Sequence, residues 1–264
     1  MTENIKPGIL TVIGIGPGDT VHLTPAASEA LTNSDHIIGY GLYIDLLRPV
    51  LGNQKLSSGA MQKEVERVTL AVDAALSGER VALVSSGDAG VYAMAGLVFE
   101  ICRAREISIT MNDQVFQEGI GIRIIPGISA LNAAASLLGA PLSHDFCTIS
   151  LSDLLTPWET IETRLHAAGS ADFVTVIYNP KSKKRDWQLK KSLSILGQYR
   201  SAETPIGMVR QAMREDQEIC ISTLKTFNDE AIDMKTVVIV GNRHSFIYEG
   251  AMVTPRGYGD KYIL

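Results

Sequence analysis

Ile9-Leu10-Thr11-Val12-Ile13-Gly14-Ile15-Gly16-Pro17-Gly18-Asp19 is the stretch whose reading decides the fold. An apolar, β-branched run breaks into glycines, and Thr24-Pro25 then supplies an N-cap with proline at the first helical position. Strand, tight turn and helix in that order open an α/β layering, and the alternation continues outward. Val65, Val68, Val72, Ala75 and Leu76 share one helical face that Gly78 closes. Residues 81–84 form the next strand, Val91, Met94, Ala95, Val98 and Cys102 another helical stripe, and 122–125 a further strand. A helix over 128–138 ends at Gly139-Ala140-Pro141, a break that suits a domain boundary. The second half offers strands at 148–151, 173–178, 206–209, 218–223 and 237–240. Helices are expected over 157–168 and 183–196, and a short helix or loop over 225–231. Two α/β domains are expected, 1–141 and 142–264.

The turns after the strands carry the chemistry. In Gly14-Ile15-Gly16-Pro17-Gly18-Asp19, Asp19 stands where a dinucleotide fingerprint needs its third glycine. Pro17 lacks an amide to donate to a phosphate, and an aspartate at the mouth repels pyrophosphate. Ser85-Ser86-Gly87-Asp88-Ala89-Gly90-Val91-Tyr92 and Pro126-Gly127-Ile128-Ser129-Ala130 are small-residue turns of the same kind. Glycine lets a ligand approach the main chain directly. In open α/β sheets, ligands bind beyond the carboxyl ends of the strands.

The totals narrow the class. In 264 residues, 45% are hydrophobic and 20% charged, which suits a folded chain, and the net charge of -5 does not recruit nucleic acid. Cys102, Cys147 and Cys220 form no Cys-x-x-Cys pair, so no zinc site or disulfide framework is expected. The N-terminus, with Glu3 and Lys6, carries no secretory signal, and no stretch approaches the ~20 apolar residues that span a bilayer. A cytoplasmic protein is expected. Met61, Trp158 and Trp187 read as packing residues.

In this order, the Gly14–Asp19 turn, the Gly87-Asp88 turn and Pro126-Gly127-Ile128-Ser129-Ala130 resemble the signature of the tetrapyrrole methylases, and the likeness covers nearly the whole chain. Gly39-Tyr40 with Tyr43-Ile44-Asp45, residues 85–96, His144-Asp145-Phe146, 151–158 and Tyr178-Asn179-Pro180 bring it closest to the precorrin-3B C17-methyltransferase branch. Ala89 departs from the proline that many relatives place after Gly-Asp. The resemblance implies a class III methyltransferase: two α/β domains with S-adenosylmethionine folded in a cleft between them, S-adenosylhomocysteine as product, and a homodimer. Carried over, Pro17, Gly87, Asp88, Val91, Tyr92, Ser129 and Ala130 line the cofactor from the first domain. Leu151, Asn179, Ala212 and Thr236 line it from the second. It further implies methylation at C17 of precorrin-3B in cobalamin biosynthesis, with loss of C20 from the ring and formation of precorrin-4, and no metal held by the protein. The alternatives are the anaerobic relative that methylates cobalt-factor III and a non-catalytic tetrapyrrole binder.

Lys181-Ser182-Lys183-Lys184-Arg185 runs into an expected helix start, where cations oppose the helix dipole unless an anion offsets them. Lys181, Lys183, Lys184, Arg185 and Arg210 are therefore candidates to grip the carboxylate arms of an anionic tetrapyrrole, with Arg214, Arg243 and His244 on the same rim. The rearrangement needs proton transfers, for which Asp45, Asp88, His144 and Asp153 are the candidates.

Overall fold

The computed structural model describes residues 8–60, 63–111, 118–182 and 185–263; Met61, Lys183 and Lys184 lie outside them. Contacts divide the chain into two compact units, Met1–Ala130 and Leu131–Leu264. The Gly139-Ala140 break expected to separate the domains is itself a short strand of the second unit.

The first unit begins with β1 (Ile9–Gly14) and α1 (Pro25–Thr32), followed by β2 (His36–Tyr40), α2 (Gly41–Leu47) and β3 (Lys55–Gly59). Next come α3 (Glu64–Leu76), β4 (Arg80–Ser85), α4 (Met94–Ala104), β5 (Ile109–Met111) and β6 (Ile120–Ile125). All its strands pair in parallel, in the order β3-β2-β4-β1-β6-β5. A parallel sheet must be covered on both faces, and two apolar clusters do so. On one face Val68, Ala71, Val72 and Ala75 of α3 pack with Leu10, Val12 and Leu83; on the other, Ile13 and Ile37 meet Ala27, Leu31 and Leu47. Each fully buried valine or leucine there contributes about 1.5–3 kcal/mol. The α3 stripe is narrower than its sequence suggests: Val65 and Leu76 are exposed. Gly78, at φ +95, ends that helix as expected, and the oxygen of Thr24 accepts from the Ala27 amide at 3.1 Å to cap α1.

α5 (Ala130–Leu138) spans the boundary between the units. The second unit continues with β7 (Gly139–Ala140), β8 (Phe146–Ser150), α6 (Trp158–Ser170), β9 (Val174–Tyr178) and α7 (Gln188–Leu196). It ends with β10 (Pro205–Arg210), β11 (Glu218–Thr223), β12 (Thr236–Val240), β13 (Phe246–Tyr248), β14 (Ala251–Val253) and α8 (Tyr258–Lys261). Its main sheet is mixed, ordered β11-β10-β12-β9-β8; β8 and β9 are parallel and the other pairs antiparallel. Residues 225–231, expected as a short helix or loop, are turn and irregular backbone. α6 and α7 bury Ile161, Leu165, Leu189 and Leu196 on one face of this sheet. Gly207 has no side chain because Leu138 of α5 occupies that space: an added Cβ would lie 2.6 Å from its Cδ1. Trp158 and Trp187 stack edge to face at 4.7 Å, the packing role expected of them.

Candidate functional site

In the first unit, the chain leaves β1 toward β2 and β3 on one side of the sheet and leaves β4 toward β5 on the other. Since β1 and β4 are neighbours, a topological switch point opens beyond their carboxyl ends. The three glycine turns follow β1, β4 and β6, adjacent strands, so they meet there. Gly16 and Gly87, both left-handed at φ +77 and +69, exchange backbone hydrogen bonds of 3.1 and 2.7 Å. A Cβ on Gly14 would stand 2.6 Å from the Gly87 oxygen and 2.7 Å from the Gly127 nitrogen. A Cβ on Gly127 would collide with the oxygens of Gly87 and Gly14. Backbone packs on backbone, and only glycine permits it.

Asp88 binds two of these turns together. One carboxylate oxygen accepts from the Gly90 amide at 2.8 Å and the other from Gly127 at 3.1 Å. Asp19 accepts from the Val21 amide at 3.1 Å and caps a short 3-10 turn, Thr20–His22. Pro17 and Ser129 are buried, Val91 is half-buried, and Ala130 opens α5. Tyr92 is exposed and held at φ +50, a strained conformation for an aromatic residue. No lysine or arginine occurs in residues 14–19, 85–92 or 126–130. Such a donor set, main chain and small hydroxyls with no cation, suits a neutral nucleoside joined to a zwitterion, while Pro17 and Asp19 count against a pyrophosphate.

In the second unit the register gathers the other four cofactor candidates at one end of the sheet. Leu151 follows β8, Asn179 follows β9, Ala212 lies just past β10, and Thr236 begins β12, which runs antiparallel to β9 and β10. Leu151 is fully buried and its amide donates to the Tyr178 carbonyl at 2.9 Å. Thr236 is buried too, its hydroxyl engaged with Asp233. Asn179, Gln211 and Met213 have φ of +51, +50 and +60. Three non-glycine residues in the left-handed region at one sheet end mark strained backbone of the kind that clusters at functional sites.

The cations expected to form an open rim are largely engaged within the chain. Lys181 Nζ lies 3.5 Å from Asp229, and Arg210 is held by Asp233 at 3.0 Å and Glu218 at 2.7 Å. Arg243 pairs with Asp172 at 2.9 Å, and the His244 amide donates to Asn242. Arg214 lies in the turn after β10, its amide donating to the Gln211 carbonyl. Arg185 is buried at 6% exposure rather than presented to solvent. Burial pulls its guanidinium below the ordinary arginine range, with the Asp153 carboxylate opposing. The helix expected from 183 begins at Gln188, so Lys181 and Arg185 precede its dipole instead of opposing it from the first turn.

Among the proton-transfer candidates, Asp45 is exposed and paired with Arg48 at 2.9 Å. The Nδ1 of half-exposed His144 accepts from the Asp145 amide at 2.7 Å. Asp153 accepts from Gln188 Nε2 at 2.8 Å. Sequence reading passed over Gln188 and the link from Arg185 to the Asn179 carbonyl, because both depend on contacts across the fold.

The family described as Tetrapyrrole (Corrin/Porphyrin) Methylases matches residues 10–228. The chain is 49% identical over 257 residues to the cobalt-factor III methyltransferase of Priestia megaterium, covering 97% of this chain but 46% of that protein, about half its length. It is 45% identical over 250 residues to the probable cobalt-factor III C(17)-methyltransferase of Salmonella typhimurium, covering 95% of this chain and 99% of the relative. Identity to the precorrin-3B C(17)-methyltransferase of a Sinorhizobium species is 38% over 258 residues, covering 95% and 97%. Among solved structures, the methyltransferase CobJ superposes with a TM-score of 0.84 at 38% identity, covering 94% of this chain and 100% of that one. A uroporphyrin-III C-methyltransferase from Thermus thermophilus, complexed with S-adenosylhomocysteine, shares the fold at a TM-score of 0.64 and 19% identity, covering 89% and 97%.

Proposed function

Because this chain belongs to the tetrapyrrole methylases, we propose that it transfers a methyl group from S-adenosylmethionine to C17 of a precorrin-3B-level macrocycle in cobalamin biosynthesis. The observation that carries the reading is the cation-free meeting of three glycine turns at a switch point. When bound, the cofactor supplies an electrophilic methyl group on a sulfonium. The chain supplies positioning: Pro17, Gly87, Asp88, Val91, Tyr92, Ser129 and Ala130 from the first unit, with Leu151, Asn179, Ala212 and Thr236 from the second. In-line displacement needs little else, since orientation in a well-aligned site contributes about 7–11 kcal/mol.

Asp88 serves this scheme as the brace between turns, since amides occupy both its oxygens. His144 retains Nε2 for proton exchange, because the Asp145 amide occupies Nδ1. It stays among the proton-transfer candidates for ring contraction, with Asp45 and Asp153. The same reading has the enzyme act in the cytoplasm as a homodimer, the latter checked by sedimentation.

One observation favours a cobalt-bearing substrate: the relatives at 49% and 45% identity carry the cobalt-factor III name, against 38% for the precorrin-3B relative. Anaerobic incubation with each macrocycle and S-adenosylmethionine, followed by mass spectrometry, tests both readings. One added methyl at C17 with stoichiometric S-adenosylhomocysteine is the expected result, and the macrocycle turned over faster is the substrate. Macrocycle binding without release of S-adenosylhomocysteine would leave only a carrier.

A further inference from the structure

Arg185 is the cation whose surroundings differ most from what its sequence context suggests. Its backbone is fixed by reciprocal hydrogen bonds with Ser182, 2.8 and 3.1 Å long. Its side chain turns inward, where Nη2 donates to the Asn179 carbonyl at 2.7 Å and lies 3.3 Å from the Met234 sulfur. Nε is buried with no partner, and so is Oε1 of neighbouring Gln188, whose Nε2 holds Asp153. Among the described residues Arg185 forms no salt bridge, and its shortest hydrogen bond goes to a backbone carbonyl.

That carbonyl belongs to a residue held in the left-handed region. Asn179 sits at φ +51, and the proline that follows restricts its conformation further. Its side chain donates to Ser150 at the end of β8, 2.9 Å away, which anchors one side of the residue. The guanidinium anchors the other. A charge-assisted bond to a partly buried carbonyl is among the stronger single restraints a side chain can apply.

We infer that Arg185 is a positioning residue that locks Asn179 in its left-handed conformation for the adenosyl cofactor, and does not grip the carboxylates of the macrocycle. This rests on the cofactor reading above, in which Asn179 lines the cofactor. A buried arginine donating to a carbonyl cannot be replaced by lysine without loss, because an ammonium offers a compact point charge in place of a planar fork.

The test uses the full chain with Arg185→Met, Arg185→Lys and Asn179→Gly, the last because glycine adopts a positive φ without strain. Affinity for S-adenosylhomocysteine is measured by calorimetry, and the KM of the macrocycle and the melting temperature are measured alongside. R185M is expected to weaken S-adenosylhomocysteine about tenfold or more, the scale of one charge-assisted hydrogen bond. R185K should lose less, the macrocycle KM should stay within about twofold, and the R185M loss should shrink in the N179G background, as coupled residues require. If R185M does not fold, R185K and its N179G double variant carry the same comparison. A raised macrocycle KM with unchanged cofactor affinity would overturn the inference in favour of a substrate grip. A lowered melting temperature with both affinities kept would reduce Arg185 to a strut. Wild-type protein that fails to bind S-adenosylhomocysteine would overturn the cofactor reading itself, and the inference with it.

Discussion

Two glycines of the first unit illustrate how much a single methyl decides. At Gly127 an added Cβ runs into the carbonyl oxygens of Gly87 and Gly14, and the first of these is the acceptor for the Gly16 amide. Gly127→Ala should therefore cost about 1–3 kcal/mol or more and weaken S-adenosylhomocysteine binding. Gly96 lies in α4 with nothing within 4 Å of its would-be Cβ. Gly96→Ala should stabilise by about 0.5–1 kcal/mol, since alanine loses less backbone entropy in a helix. Urea denaturation of the two variants side by side checks the opposite signs; a stabilised G127A would contradict the packing of the three turns. Gly127 was legible in the sequence because a tightly packed backbone demands one residue type. The Asn179–Arg185 contact and the left-handed Gln211 and Met213 were not, because nothing local in their residue types requires what they do.

Among elements, β2 and β4 are joined at their starts by Asp35, which accepts from Arg80 at its amide (2.9 Å), Nε (3.1 Å) and Nη2 (2.6 Å). The Arg80 guanidinium and amide hold the Asp35 carboxyl below its ordinary range. A depressed folded value means that the contribution is complete above the ordinary carboxylate pKa and is lost as pH falls below about 4, through the folded value. Asp35→Asn should lower the melting temperature modestly at neutrality, an exposed pair being screened, and converge on wild type as pH falls from 5 to 2, which flattens the acid limb. An acid limb identical to wild type would refute the assignment. β1, β4, β6 and β9 to β12 were readable as β-branched runs. β2 escaped because it opens on His36, a buried polar residue satisfied only by Glu79 and Ser57 at 2.8 Å each. β3 escaped because an edge strand, Lys55–Gly59, keeps polar residues. α7 starts later than its sequence suggests because Ser182 and Arg185 use their backbone groups on each other.

For the whole molecule, two compact units with separate apolar cores make it unsafe to treat unfolding as a single step. Arg200 offers the means to ask. Its side chain is 1% exposed, pairs with Asp172 at 2.9 Å and donates to the carbonyls of Gly241, Gly169, Ala168 and Phe173, all within the second unit. Arg200→Met strands those acceptors and should cost about 3–5 kcal/mol, the usual consequence of breaking a buried pair. In calorimetry the transition of Leu131–Leu264 should fall while that of Met1–Ala130 stays in place; a joint shift of one transition would show that the units unfold together.

The reciprocal bonds between Gly16 and Gly87 carry a lesson for anyone wishing to re-engineer this scaffold. Two segments far apart in the chain are zipped into one cassette, so a graft that imports either from a cousin enzyme alone would arrive without its mate. Chimeras should exchange both together, with Gly127 as the third fixed point against which the pair is seated.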